Sequence, residues 1–399
     1  MKDALAAIAV TLSAQTLTAM AMIAPSVLAP VAAGDLGLAP QAIGLFVSIA
    51  YFAAMLSGLV SGPLVARFGA LAACQAAVAL VGLGLALGRL AVAPVVPVAA
   101  ALIGCGYGLV TPASSHVLAR RTPPRMMALV FSIKQTGVPL GGAVAGAAVP
   151  TLVLALGWKD TLVVLAAVCI GVAVALRLAR RPLAEGPPTK VGGMGSLRGV
   201  FTGLDGPIRL VLLHRALREL ALTSLVYAAV QLAFVTYFVS YLNLALGYSL
   251  VVAGLVYAFA HGAGVVARIA WGAITDLWLA PRAMLALLGA MSAACGALTA
   301  AFSAAWPLAA VVAVAVLFGA SAVGWNGVYL AEVARRAPPG QVGTATGGAQ
   351  FFTFAGAFTG PLLFAAAVSA TDSYAWAFAL FAIPPLAVGV RLFKNARAP

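Results

Sequence analysis

The feature that limits this chain most is a long apolar run that recurs from one end to the other. Each run is about the length of a bilayer-crossing helix, which needs ~20 apolar residues. The runs do not alternate with a period of two, as the strands of a membrane barrel do, so helices are predicted. Breaks fall at Pro, Gly and clusters of charge. They divide the chain into twelve expected spans, at about 4–31, 40–66, 70–89, 94–119, 126–150, 158–179, 216–243, 249–277, 282–304, 306–334, 341–369 and 373–393. Of the 399 residues only 8% are charged, against about 25% in soluble domains. That composition cannot cover a surface in water, so the lipid bilayer is the expected solvent. The N-terminal "MKDALAAIAVTLSAQ" has the ingredients of a signal peptide, but equally apolar runs follow it, and it is read as the first span.

The formal net charge is +14. With the N-terminus placed in the cytoplasm, inner segments hold Lys2, Arg67, Arg120, Arg121, Arg125, Arg282, Arg335, Arg336 and the tail. The outer loops hold only Arg89 and Lys159. This is the positive-inside pattern of a multi-pass protein of the cytoplasmic membrane with both termini inside, not the basic face of a nucleic-acid binder. The one long polar break, rich in Gly and Pro, covers 181–215. It separates an expected six-helix bundle at 1–180 from a second at 216–399.

The two halves repeat each other. "GCGYGLVTPASSHVLARRTPP" at 104–124 aligns with "GASAVGWNGVYLAEVARRAPP" at 319–339, a shift of 215. The same shift places Gln135 on Gln350 and Gly141 on Gly356. Duplicated six-span halves mark carriers that work around a midplane site. On these features the chain resembles the major facilitator superfamily over essentially its whole length. That family's motif between spans 2 and 3 runs roughly Gly-x-Leu-Ala-Asp-Arg-x-Gly. Here "GPLVARFG" (62–69) matches at Gly62, Leu64, Arg67 and Gly69 and has Ala66 at the Asp position. The second copy, "GAITDLW" (272–278), keeps Asp276 and lacks the following Arg. The resemblance implies a cytoplasmic gate at Arg67 and Asp276, each copy with half the charges. Span 5 carries "GVPLGG" (137–142), similar to a motif of family exporters but read here as helix packing, so export is not inferred from it.

Ionisable groups inside spans are functional candidates by default. They are Lys134, Arg268, His116 and His261, and no carboxylate joins them. Lys134 lies about eight residues into span 5, ~12 Å deep at ~1.5 Å per residue. Arg268 stands eight residues before Asp276 and so at a similar depth. A buried cation without a counter-ion is costly, and an anionic substrate would supply one. Tyr257, His261, Gly264 and Arg268 share one face of span 8, which is expected to line a cavity. "ARIAWGAITD" is similar to span 8 of monocarboxylate and oxalate–formate carriers, where the arginine binds the substrate carboxylate; that role falls on Arg268. The oxalate–formate type also has a lysine on span 11, where Ala349 stands here. In the superfamily spans 5 and 8 approach each other, so the resemblance implies that Lys134 and Arg268 clamp one anion. Gln15, Gln135, Asn326 and Tyr329 are further candidate substrate-binding residues. Two plainer alternatives stay open: Lys134 reaching to the inner surface along its stem, and Arg268 bonding backbone carbonyls.

The expectation is a secondary active transporter of small organic anions, mono- or dicarboxylates, working by alternating access as a monomer. Its coupling is proton symport or exchange against a second anion. The alternative is a proton-driven multidrug or metabolite exporter with a broad apolar cavity; such carriers more often hold an intramembrane carboxylate. No metal-ligand spacing, nucleophile–base pair or phosphate loop is seen, so no enzyme, metal site, cofactor or nucleic-acid partner is expected.

Overall fold

The computed structural model describes residues 2–122, 127–179 and 205–396. The expected linker lies outside the described residues up to 204, and its last part, Asp205–Leu213, is a short helix. The described chain is all-helical, with twelve helices long and apolar enough to cross a membrane. Spans 1 to 6 are Leu5–Asp35, Pro40–Phe68, Ala70–Gly88, Val96–Ala119, Val130–Leu156 and Trp158–Arg177. Spans 7 to 12 are Arg215–Ala245, Leu250–Leu277, Pro281–Ala300, Leu308–Arg336, Val342–Thr371 and Tyr374–Lys394. An even number of spans returns both termini to one side.

The helices form two compact units. The first is Met1–Ala39 with Ile49–Phe201, the second Pro40–Ser48 with Thr202–Pro399. The start of span 2 therefore belongs to the second unit, although its sequence position is in the first half. Hydrogen bonds explain the grouping: the Tyr237 hydroxyl donates to the Gln41 and Pro361 carbonyls at 3.1 and 3.0 Å. The Ser48 hydroxyl donates to the Phe358 carbonyl at 2.7 Å.

The internal repeat has a physical content, because several repeated positions are places where helix backbones touch. A Cβ on Gly104 of span 4 would strike the Ala50 carbonyl of span 2, and one on Gly319 of span 10 the Ala260 carbonyl of span 8. Gly141 of span 5 meets the Thr16 carbonyl of span 1, and Gly356 of span 11 the Leu225 carbonyl of span 7. At a third locus the glycine has changed sides: Gly108 faces Ala54 in the first unit, whereas Gly264 faces Val323 in the second. A shift of 215 relates Gly108 to Val323, and a shift of 210 relates Ala54 to Gly264. Close approach is thus kept while the residue supplying it varies. Gly319→Val is expected to lower the folded yield strongly, because a branched side chain on a neighbouring backbone oxygen overpacks the contact at a cost of about 3 kcal/mol. The readout is the monodisperse fraction of purified protein; a wild-type profile contradicts the contact.

Two spans are broken where continuous helices are expected. Span 5 consists of Met127–Gln135 and Gly137–Leu156, interrupted at Thr136. Pro139 has no N–H for the Gln135 carbonyl four residues back, so the helical ladder opens there. Span 10 consists of Leu308–Ala322 and Asn326–Arg336. Its break is held by span 8, whose side chains take carbonyls from its last turn: Trp271 Nε1 donates to Ala320 O at 2.8 Å and Arg268 Nε to Val323 O at 3.1 Å.

Candidate functional site

In the first unit the break of span 5 sets Lys134 one turn before Gly137, which lies flat against the Gln15 side chain of span 1. Lys134 is 1% exposed. It does not reach the surface: its Nζ turns onto span 4, donating to the Thr111 carbonyl at 3.1 Å and the Ser115 hydroxyl at 3.2 Å. The Thr111 hydroxyl in turn donates to Gln15 Oε1 at 3.2 Å. Spans 1, 4 and 5 thus share one buried polar cluster. Both oxygens that accept from Lys134 among the described residues are neutral. Two acids of the first unit are used elsewhere: Asp35 accepts from Trp158 Nε1 at 2.7 Å, and Asp160 pairs with Arg89 at 3.0 Å.

Thr111 and Ser115 were not singled out from sequence, although their spacing of four puts them on one helix face. Their partner on span 5 is a tertiary fact. Gln135, next to Lys134, is half-buried and also bonded.

In the second unit the polar face of span 8 is packed, not open as its spacing alone suggests. Gly264 lets Val323 of span 10 close in. Tyr257 and His261 are buried, their rings together at 4.2 Å, with Phe234 of span 7 stacked on Tyr257. His261 Nδ1 lies 3.3 Å from the Tyr257 carbonyl. Arg268 is half-buried at the C-terminal end of helix Leu308–Ala322, where unsatisfied carbonyls favour a cation. The alternative that Arg268 bonds a backbone carbonyl is therefore realised. Its counterpart in the first unit, at the shift of 210, is Gly58, which lies near the Gly108 carbonyl. The arginine fills a place that a glycine fills in the other half. Asn326 opens the second part of span 10 and is half-buried. Tyr329 is buried, its hydroxyl donating to the Ala349 carbonyl at 3.4 Å. Lys134 belongs to the first unit and Arg268 to the second.

Among the described residues neither Arg67 nor Asp276, the expected gate residues, makes an ion pair; Arg67 stacks on the ring of Phe68 at 5.1 Å. The complementary charges are missing from the motif itself, at Ala66 and Leu277. A different network occupies the inner end of the second unit. Glu332 of span 10 has 0% side-chain exposure and binds Arg335 at 2.6 Å, Arg336 at 3.0 Å and Arg282 of span 9 at 3.3 Å. Arg282 continues to Glu219 of span 7 at 3.3 Å. Arg391 of span 12 also reaches Glu219, at 3.8 Å, so four helices are joined through two buried acids. The spacing of Glu332, Arg335 and Arg336 is legible as an i, i+3, i+4 set; the link to Arg282 and Glu219 is not. Among the described residues no group of His, Cys, Asp and Glu is arranged to hold a metal ion.

Comparison with known proteins agrees with this architecture. A family model described as Major Facilitator Superfamily matches residues 11–361. No curated protein sequence matched the chain. Among solved structures, the fold is similar to a peptide transporter POT in complex with sulfate, with a TM-score of 0.78 and 18% identity over 98% of this chain and 94% of that one. It is also similar to a bacterial homolog of the human lysosomal transporter Spinster, at TM-score 0.74 and 14% identity over 98% and 96% of the two chains. A D-xylose-proton symporter matches at TM-score 0.74 and 15% identity over 97% and 96%. At such identities the structures speak for the fold alone, and the family match speaks for the class of protein. Twelve apolar spans in two repeated units make this a multi-pass integral membrane transporter rather than an enzyme, and the chain belongs to the Major Facilitator Superfamily.

Proposed function

We propose that the protein is a secondary active transporter of small organic anions, mono- or dicarboxylates, across the cytoplasmic membrane, working by alternating access of its two units. The observation that carries the reading is Lys134, a buried ammonium whose hydrogen-bond acceptors among the described residues are neutral oxygens of span 4. Neutral dipoles orient a buried cation but do not cancel its charge, whose desolvation costs several kcal/mol. A transported carboxylate cancels it on each visit, so the site favours anions without a specific pocket shape. Arg268, at the break of span 10, is the second candidate contact and brings a planar guanidinium suited to a carboxylate. Gln135 and Asn326, both half-buried, are the remaining lining candidates. Tyr257, His261 and Tyr329 act one step back, through packing that holds spans 7, 8, 10 and 11. The gate at Arg67 and Asp276 is retained only as a proposal for other stages of the cycle.

A thermal-stability screen of the purified chain against monocarboxylates, dicarboxylates and hydrophobic cations tests the reading. Stabilisation by carboxylates, followed by their uptake into proteoliposomes, is expected. A response confined to hydrophobic cations refutes it and favours the exporter alternative. Uptake driven by an imposed pH gradient identifies proton symport, and uptake dependent on internal anion identifies exchange.

A further inference from the structure

We infer that the first unit alone contains a seat for one carboxylate group, made by Lys134 Nζ and Gln15 Nε2. The inference rests on the anion reading above and deepens it, because it assigns the second donor and the charge of the ligand. Gln15 is 0% exposed, and its Oε1 is committed to the Thr111 hydroxyl. Its Nε2 has no hydrogen-bond partner among the described residues. A buried amide N–H left unpaired costs about 1–3 kcal/mol, which is a large fraction of a protein's net stability. Lys134 bonds the carbonyl of the same Thr111 and has three N–H donors, of which two reach protein oxygens. Two side chains on spans 1 and 5 therefore bracket one residue of span 4, and both carry donor capacity that the described residues do not use.

A carboxylate fits that donor set, with one oxygen toward the ammonium and the other toward the amide. Charge decides how many it takes. The cluster holds one cation and no acid, so a single carboxylate leaves it neutral. A dianion would bury a net negative charge in this unit. The seat therefore takes a small monocarboxylate, or one end of a longer acid whose other charge stays outside the unit.

The second unit indicates why the seat is single. At the shift of 215 the equivalent of Lys134 is Ala349. The Tyr329 hydroxyl donates to the Ala349 carbonyl there at 3.4 Å. One half of the repeat thus has a neutral residue at this position, and the other has a charged one.

The experiment compares wild type, Gln15→Leu, Gln15→Glu and Lys134→Gln, each as the purified full chain, by thermal shift with lactate and with malonate. Wild type is expected to respond to lactate more than to malonate. Gln15→Leu is expected to weaken lactate binding about tenfold or more, the effect of one lost hydrogen bond to a charged group. Gln15→Glu supplies an internal counter-ion to Lys134 and is expected to lose the lactate response while staying folded. If Gln15→Glu does not fold, Gln15→Leu carries the test. If both Gln15 variants respond as wild type does while Lys134→Gln does not, the seat is overturned and the anion reading stands. If wild type responds to neither acid but to hydrophobic cations, both fall.

Discussion

Replacing Lys134 with methionine is expected to abolish carboxylate uptake and leave the chain folded. The two halves of that expectation have separate grounds. Folding survives because the ammonium contributes little that the fold needs: it is buried against neutral oxygens, and its stem is apolar. Exchanging a buried charge for an apolar side chain of similar volume is often neutral or stabilising. The chain carries its own precedent in Ala349, the equivalent position of the other half. The thermal midpoint without ligand should therefore stay or rise. Uptake fails because the substrate's charge would then be buried without a partner, at a cost of about 3–5 kcal/mol. That corresponds to a loss of about a hundredfold or more in affinity. Initial rates of carboxylate uptake in proteoliposomes measure it, and wild-type rates in Lys134→Met would sink the proposal.

The second large effect is expected on stability. Glu332→Gln should destabilise the protein by about 1–3 kcal/mol, the cost of losing the charge-assisted hydrogen bond to buried Arg282, which Glu219 still holds. The substitution keeps the shape, so no cavity confuses the result. Arg335 and Arg336, with side chains 56% and 42% exposed, can hydrate once the acid is gone and account for little of the loss. Arg282, 12% exposed and placed between Glu332 and Glu219, cannot. Arg335→Ala should accordingly cost no more than about 1 kcal/mol. Chemical or thermal unfolding in detergent separates the cases, and equal effects of the two substitutions would contradict this division of the network.

The class of fold was readable in the sequence because the bilayer imposes one condition on every span. A helix that satisfies its own backbone must be long and apolar, and both properties are local. Span counts and approximate ends follow from that alone. The duplication was equally readable, since it is a comparison of sequence with itself. Two irregularities were partly readable. Pro139 marks the break after Gln135, whereas the break in span 10 depends on Arg268 and Trp271, residues of another helix.

The candidate site divides in the same way. Lys134 stood out as a charge within an apolar run, and Arg268 likewise. Depth along a helix is a matter of counting, so both could be placed near the midplane. What each side chain meets could not be counted. The polar face of span 8 looked like a cavity wall, yet Gly264 admits Val323 and the face is packed. A polar stripe on a helix means only that something other than lipid lies opposite it, whether a cavity or another helix.

The sequence by itself therefore determined the solvent, the helices, the repeat and the identity of the buried charges, because these depend on composition and on periodicity along one chain. Only the tertiary structure decided that Lys134 and Gln15 converge on Thr111, that Arg268 ends a half-helix, and that Glu332 gathers three arginines. The physical reason is that a partner's identity depends on the rotation and close approach of separate helices. Those are set by small contacts such as Gly104 on Ala50 and Gly319 on Ala260, which join residues far apart in the chain.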